Sequence, residues 1–182
     1  MQSIKQLTRA LGDLASPEHY LFTQTDLRAV LPALSDAALN TLLSRAVTEG
    51  HLARVCRGIY LYPRVDHPRG LLLFHAAARL RADTFNYISL ETALSDVGVI
   101  SQIPINRVTL MSSGRSNIIR CGSWGVIEFV HTSKRPDEIA EQLRYDQRCH
   151  LWRASVALAL RDMRATRRNM DLIDWSVVNE SV

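Results

Sequence analysis

The hydrophobic period of the chain changes at Gly50, and that change limits what the N-terminal part can become. Before it, apolar residues return at helical spacing. Ile4, Leu7, Leu11 and Leu14 mark a helix over 3–14, and Leu39, Leu42, Leu43, Ala46 and Val47 mark another. The later segments carry their own start signals. Thr23, with Asp26 three positions on, makes an approximate capping box for a short helix from Gln24 to about Leu31, stopped at Pro32. Ser35 caps a helix from Asp36 to Glu49; Asp36 lies in the first turn, where the helix dipole favours an acid, and Gly50 follows the last turn. Beyond Gly50 the apolar residues come in two short, partly β-branched runs, Leu52 to Val55 and Ile59 to Tyr62. They flank Cys56, Arg57 and Gly58, which reads as a hairpin with a tight tip. Three helices and a hairpin within about 62 residues predict a winged helix-turn-helix.

The polar, proline-bounded stretch from Pro63 to Pro68 is the best boundary, dividing the chain into 1–66 and 67–182. The second part begins with an apolar helix, about Arg69 to Leu80. Tyr87 and Ile88 lead to Ser89, an N-cap candidate for a helix from Leu90 to about Val97 that Gly98 ends. Strand-like segments follow at Arg107 to Met111, Asn117 to Cys121 and Val126 to His131. Pro136 to about Arg148 reads as a helix, followed by a second from Leu151 to about Arg167. The expected architecture is two-domain α+β, with a winged helix-turn-helix followed by a mixed α/β domain.

On the helix from Asp36 to Glu49, the apolar stripe leaves Asn40, Thr41, Ser44, Arg45 and Thr48 on much of the remaining face. That set is compact and free of acid. Asn and Arg suit bidentate contacts with base edges in a major groove, and hydroxyls reach bases or phosphate. The hairpin brings Arg54, Arg57 and Arg64 toward the same surface, and Gly58 allows a close backbone approach to phosphate or the minor groove. Arg28, on the preceding helix, is a candidate phosphate clamp. The plainer reading stands beside this one: a polar helix face is often only solvated, and many winged helices bind proteins.

Charge adds little to that choice. Of the 22 basic side chains all but Lys5 and Lys134 are arginine, and the net charge is +4. Residues 1–66 hold seven basic and six acidic groups. The excess sits in 144–168, where seven arginines face Asp146 and Asp162. Spaced at three or four, Arg144, Arg148, Arg161, Arg164, Arg167 and Arg168 would form a helical stripe. It would extend a DNA footprint through Arg164, Arg167 and Arg168, meet an acidic partner, or simply be solvated.

Catalysis finds no support. The six histidines show no metal-ligand spacing, and Cys56, Cys121 and Cys149 suggest neither a disulfide framework nor a zinc knuckle. Gly114-Arg115-Ser116 lacks the phosphate-loop pattern, and Ser89 has no base assigned to it. No enzyme activity, metal or cofactor is therefore expected. No run of 18 apolar residues exists and no signal-peptide order opens the chain, so a cytoplasmic protein with no membrane span is expected.

The segment FTQTDLRAVLPALSDAALNTLLSRAVTEGHLARVCRGIYLYP resembles the N-terminal winged helix of AbiEi-type antitoxins. YISLETALSDVGVISQIPINRVTLMSSGRSNIIRCGSWGVIEFVHT resembles the start of their C-terminal domain, so the likeness covers about residues 20–132. Its most telling pieces are the RGIY wing, Arg57 to Tyr60, and the segment from Tyr87 to Leu94. The resemblance implies the antitoxin half of a type IV toxin-antitoxin or abortive-infection (phage-defence) pair. Such a protein represses its own operon by binding promoter DNA and opposes a nucleotidyltransferase-like toxin encoded beside it, without requiring a stable complex. It places the wing arginine at Arg57 and the recognition helix at Asp36 to Glu49. From about Pro136 no firm motif matches. The alternative is an interaction module that neutralises a toxin by direct binding, with the winged helix as scaffold. Either a dimer on a two-fold operator or a monomer on direct repeats fits.

Overall fold

A computed structural model describes residues 2–101 and 106–181, and the chain divides into two compact units, Met1–Leu72 and Leu73–Val182. Both combine helices with sheet, giving an α+β protein with a helical N-terminal part and a mixed C-terminal sheet.

The first unit runs α1 (Gln2–Leu14), β1 (Leu21–Thr23), α2 (Gln24–Val30), α3 (Asp36–Thr48), β2 (Ala53–Cys56) and β3 (Ile59–Leu61). Its strands form an antiparallel sheet in the order β1-β3-β2. Thr23 ends β1 and caps α2. Its hydroxyl accepts from Asp26 N at 3.1 Å, while its own N–H donates to the Asp26 carboxylate at 2.8 Å, so the capping box expected from sequence is complete. Ser35 Oγ accepts from Ala38 N at the start of α3. At the other end Gly50 adopts φ +74°, with Gly50 N donating to Val47 O and His51 N to Ala46 O, a Schellman closure. These terminal bonds fix where α3 starts and stops. Its buried face, Leu39, Leu42, Leu43 and Ala46, fixes which side turns inward.

A 3-10 turn at Arg69–Leu71 closes the first unit and leads into α4 (Leu72–Leu80), with which the second begins. Then come β4 (Asn86–Ile88), α5 (Leu90–Asp96), β5 (Arg107–Ser112), β6 (Asn117–Arg120), β7 (Val126–His131), α6 (Pro136–Ile139), β8 (Leu143–Asp146), β9 (Leu151–Ala154), α7 (Val156–Ala165) and α8 (Trp175–Ser181). The six-stranded sheet has the order β6-β7-β5-β4-β9-β8. The pairs β5–β7 and β4–β9 are parallel and the rest antiparallel. Tyr87 reaches Asp162 of α7 on one face, while Phe129, which alternates to the opposite face, lies 4.0 Å under the Arg81 guanidinium that follows α4.

The structure departs from the sequence expectation between Pro136 and Ser155 and again at Ser89. Pro136 to Arg148 is not a helix: α6 lasts one turn, a 3-10 turn covers Ala140–Gln142, and β8 begins at Leu143. Leu151–Ala154 is likewise a strand, and the following helix begins only at Val156. The two strands make a hairpin whose turn is set by Asp146, whose carboxylate accepts from Arg148 N and Cys149 N. The arginine stripe fails with the helices, because Arg144 and Arg153 now face each other across the hairpin and Arg148 sits in its turn. Ser89 precedes α5 but its side chain makes no capping bond. It donates instead to Asp162 at 2.7 Å.

That carboxylate is the centre of the second unit. Asp162 is 0% exposed, and it accepts from Tyr87 OH (2.9 Å), Ser89 Oγ (2.7 Å) and Lys134 Nζ (2.9 Å). Three donors, one of them cationic, meet the demand that a buried carboxylate be paired and hydrogen-bonded. Beside it Leu90 takes the left-handed φ of +58°, which is costly for a bulky L-residue. The junction is held there by reciprocal bonds: Thr92 N donates to Thr109 Oγ1 (3.1 Å) and Thr109 N to Thr92 Oγ1 (2.9 Å). Thr109 Oγ1 also donates to Ser89 O at 2.9 Å.

Candidate functional site

The polar face of α3 faces solvent as its spacing predicts. Asn40, Thr41, Ser44, Arg45 and Thr48 are all exposed. The hydroxyls of Thr41 and Thr48 donate back to Ala37 O and Ser44 O, 3.0 Å each, leaving their oxygen lone pairs to an outside donor. Arg45 Nε donates to Glu49 at 2.6 Å. The Arg45 hydrogen bond, with a smaller contribution from His51, holds the Glu49 carboxyl below the usual carboxylate range despite some desolvation. Glu49 lies just past the last turn, so the middle of the exposed face, Asn40 to Ser44, carries no acid.

The hairpin adds two more cations. Arg54 and Arg57 are exposed and have no carboxylate partner among the described residues. Arg54 pairs with Tyr60 and Cys56 with Ile59, so the register slips by one at Val55 and leaves Arg57-Gly58 as the tip. Gly58 adopts φ +83°, where side chains are strained, and nothing lies within 4 Å of the place a Cβ would occupy. The tip is therefore open as well as tight.

Gln24 joins the two elements, and its role has no sequence signature. Its backbone N–H donates to Gly58 O at the tip (3.2 Å), and its side-chain amide donates to Asn40 Oδ1 (2.8 Å). One residue thus spans from the hairpin tip to the exposed face of α3 and orients the Asn40 amide. Arg28 lies on α2, as expected, with its guanidinium already engaged. Its guanidinium donates to Leu34 O and pairs with Asp36, tying α2 to the first turn of α3. It positions α3 more directly than it offers a free charge.

The chain belongs to the DUF6088 family. This family of unknown function has a profile that matches residues 28–144, from within α2 to within β8. No curated relative matches the chain. The DUF6088 span takes in α3, the hairpin and the Tyr87–Ser89 segment. It stops before Asp162, the residue to which both Tyr87 and Ser89 donate.

The three C-terminal arginines singled out by sequence lie at the end of α7 and beyond it, in three different settings. Arg164 is exposed, with its guanidinium 5.7 Å from the centre of the Trp175 ring. Arg167 is exposed, in a left-handed conformation of φ +55°. Arg168 is largely covered; it pairs with Glu128 at 2.9 Å and Glu91 at 3.4 Å, and Arg107 pairs with Glu128 from the other side at 2.6 Å. An open depression of about 400 Å³ beside this cluster is lined also by Ser116, Asn117 and Thr166. Its charged groups already answer one another. Ser89 does have a carboxylate beside it, unforeseen from sequence because Asp162 is 73 positions away; both residues are 0% exposed. Among the described residues no three His, Cys, Asp or Glu side chains converge as a metal site requires, and no helix is long and apolar enough to cross a membrane.

Proposed function

We propose that Met1–Leu72 is a winged helix that binds double-stranded DNA, with α3 as recognition helix and the β2–β3 hairpin as wing. The chain would act as an AbiEi-like antitoxin that represses its own operon and opposes a nucleotidyltransferase-like toxin. The observation that carries the DNA reading is Gln24, which links Gly58 at the hairpin tip to Asn40 on α3. A helix face and a wing read one duplex only if they are held in register, and this residue supplies the tie. Asn40, Thr41, Ser44 and Arg45 are assigned to base edges, and Thr48, Arg54 and Arg57 to backbone or wing contacts. Arg28 supports the site by fixing the start of α3. Arg164 and Arg167 remain available to phosphate, whereas Arg168 is held by two carboxylates. The mechanism is occupancy of promoter DNA; the toxin role rests on resemblance alone.

The test is a gel-shift titration against the chain's own promoter and against random DNA. Arg45→Ala and Arg57→Ala, each checked for an intact fold, should weaken promoter binding by about 5- to 150-fold, the range for one lost base or wing contact. Arg45→Ala should also reduce the preference for promoter over random sequence. Absence of any preference in the native chain would sink the repressor reading. Native-like binding by both variants would place the surface elsewhere. The competing reading, direct neutralisation with the winged helix as scaffold, draws on the pairing of Arg28 and Arg45 with Asp36 and Glu49. A stable stoichiometric complex with the neighbouring toxin, formed without DNA binding, would favour it.

A further inference from the structure

A row of side chains crosses the second unit's sheet and changes character along its length. Register places Met111, Tyr87, Trp152 and Tyr145 side by side on β5, β4, β9 and β8, hence on one face. The inner two are buried, at 2% and 0% exposure, and Tyr87 is held under α7 by Asp162. The outer two are open: Trp152 is 43% and Tyr145 46% exposed. Their rings meet edge to face, with centroids 5.3 Å apart and planes at 67°. An aromatic pair of that size left in water, when its row-mates are covered, is a surface in search of a flat partner.

The charge around it favours one kind of partner. Arg161 on α7, the helix whose Asp162 holds Tyr87 of the same row, donates to Gln142 at the foot of β8. Arg148 is exposed in the β8–β9 turn, with no carboxylate partner among the described residues, while Arg144 alternates to the opposite face of β8 beside Arg153. The nearby acids are largely spent internally. Asp146 accepts from Arg153 and from two turn amides, and Asp162 is enclosed by its three donors, leaving Glu141 as the exposed carboxylate of the segment. Arginines beside exposed aromatic rings on a sheet edge match unpaired bases, which stack, joined to phosphates, which take the charge. A duplex hides its base faces and would leave these rings unused.

We infer that the Trp152–Tyr145 face of the β8–β9 hairpin binds single-stranded nucleic acid, stacking bases on the two rings while Arg148 and Arg161 engage the phosphates. This site belongs to the second unit and does not depend on duplex binding by the first.

The test uses the full chain with fluorescein-labelled oligo(dT) and oligo(U), measured by anisotropy at about 50 mM and about 200 mM salt. Trp152→Ala and Tyr145→Ala should each weaken binding by about 5- to 150-fold, the range for losing one stacked base, with the salt slope unchanged. Arg148→Ala with Arg161→Ala should weaken binding and flatten that slope. Arg45→Ala and Arg57→Ala should leave oligo(dT) binding as it is, which separates this site from the winged helix. Trp152→Phe, which keeps a stacking ring and the fold, should bind nearly as native. Quenching of tryptophan emission by oligo(dT) should be seen in the native chain and be largely lost in Trp152→Phe, where Trp124 and Trp175 remain. Native-like affinity in both alanine variants, or equal quenching in native and Trp152→Phe chains, would overturn the inference. So would polyglutamate binding as tightly as oligo(dT) and being weakened equally by Trp152→Ala, since the face would then be reading an acidic polypeptide.

Discussion

Around Leu7, Phe22, Leu27 and Leu43 the first unit buries hydrocarbon, with Tyr20, Tyr60 and Tyr62 covered as well, whereas the second unit encloses an acid, Asp162, at 0% exposure. The helices of the first unit are ended by nearby groups: Thr23 with Asp26, Ser35 with Ala38, Gly50 with Val47. The key bonds of the second reach across the chain, from Tyr87 and Ser89 to Asp162 and from Thr92 to Thr109. A hydrocarbon core asks mainly for volume and pattern, and it forgives swaps that keep both. A buried ion pair asks for particular partners, and is strongly destabilising once one is removed.

The largest expected effect is at that acid. Asp162→Asn leaves Lys134 facing a neutral amide and should cost about 3–5 kcal/mol, read as a fall in the urea midpoint. Amide exchange should quicken in β4, α5 and α7 while α1 to α3 keep their protection; an equal loss in both units would erase the contrast drawn here. Next comes the hydrocarbon core. Leu43→Ala should cost about 2–5 kcal/mol and Leu43→Met less than about 1.5, measured in the same denaturation. If the methionine variant were as damaging as the alanine one, the first core would be as exacting as the second.

The smallest effect concerns acid. Burial raises the Glu128 carboxyl, but the Arg168 guanidinium paired with it and hydrogen bonds from Arg107 outweigh that and hold it below the usual range. Burial is likewise outweighed at Asp146 by Arg153 and the turn amides. Both groups have depressed folded values. Their stabilisation is therefore complete above the ordinary carboxylate range of about 4, and it fades as pH falls through the lower folded values. Glu128→Gln should flatten the dependence of unfolding free energy on pH below about 4. An unchanged slope would mean the Arg168–Glu128–Arg107 chain contributes nothing to acid stability.

The same contrast explains how far sequence could go. The helices and hairpin of the first unit announce themselves through caps, apolar spacing and a Gly-bearing tip, all within a few residues of what they control. The exposed set on α3 was legible for that reason, while Gln24 was not, because its bonds to Gly58 and Asn40 arise only when distant elements meet. The hairpin at Leu143–Ala154 was misread as helix because each strand has four residues, too few for a two-residue period to stand out. Its exposed Tyr145 and Trp152 also spoil the usual inside-outside alternation. Arginines at spacings of three and four then lent the wrong period false support. Nothing near Ser89 hinted at Asp162.

The order of the six-stranded sheet also bears on how the chain is made. The strands β4, β5, β6 and β7 lie together in sequence and can pair as they leave the ribosome, but the open side of β4 waits for β9. Until the β8–β9 hairpin arrives, that strand offers unpaired backbone to any neighbour, and Tyr87 and Ser89 lack the acid they will later share. The last strands synthesised are thus the ones that cover β4 and complete that side of the sheet, so a nascent chain halted near residue 140 would leave the β4 edge exposed.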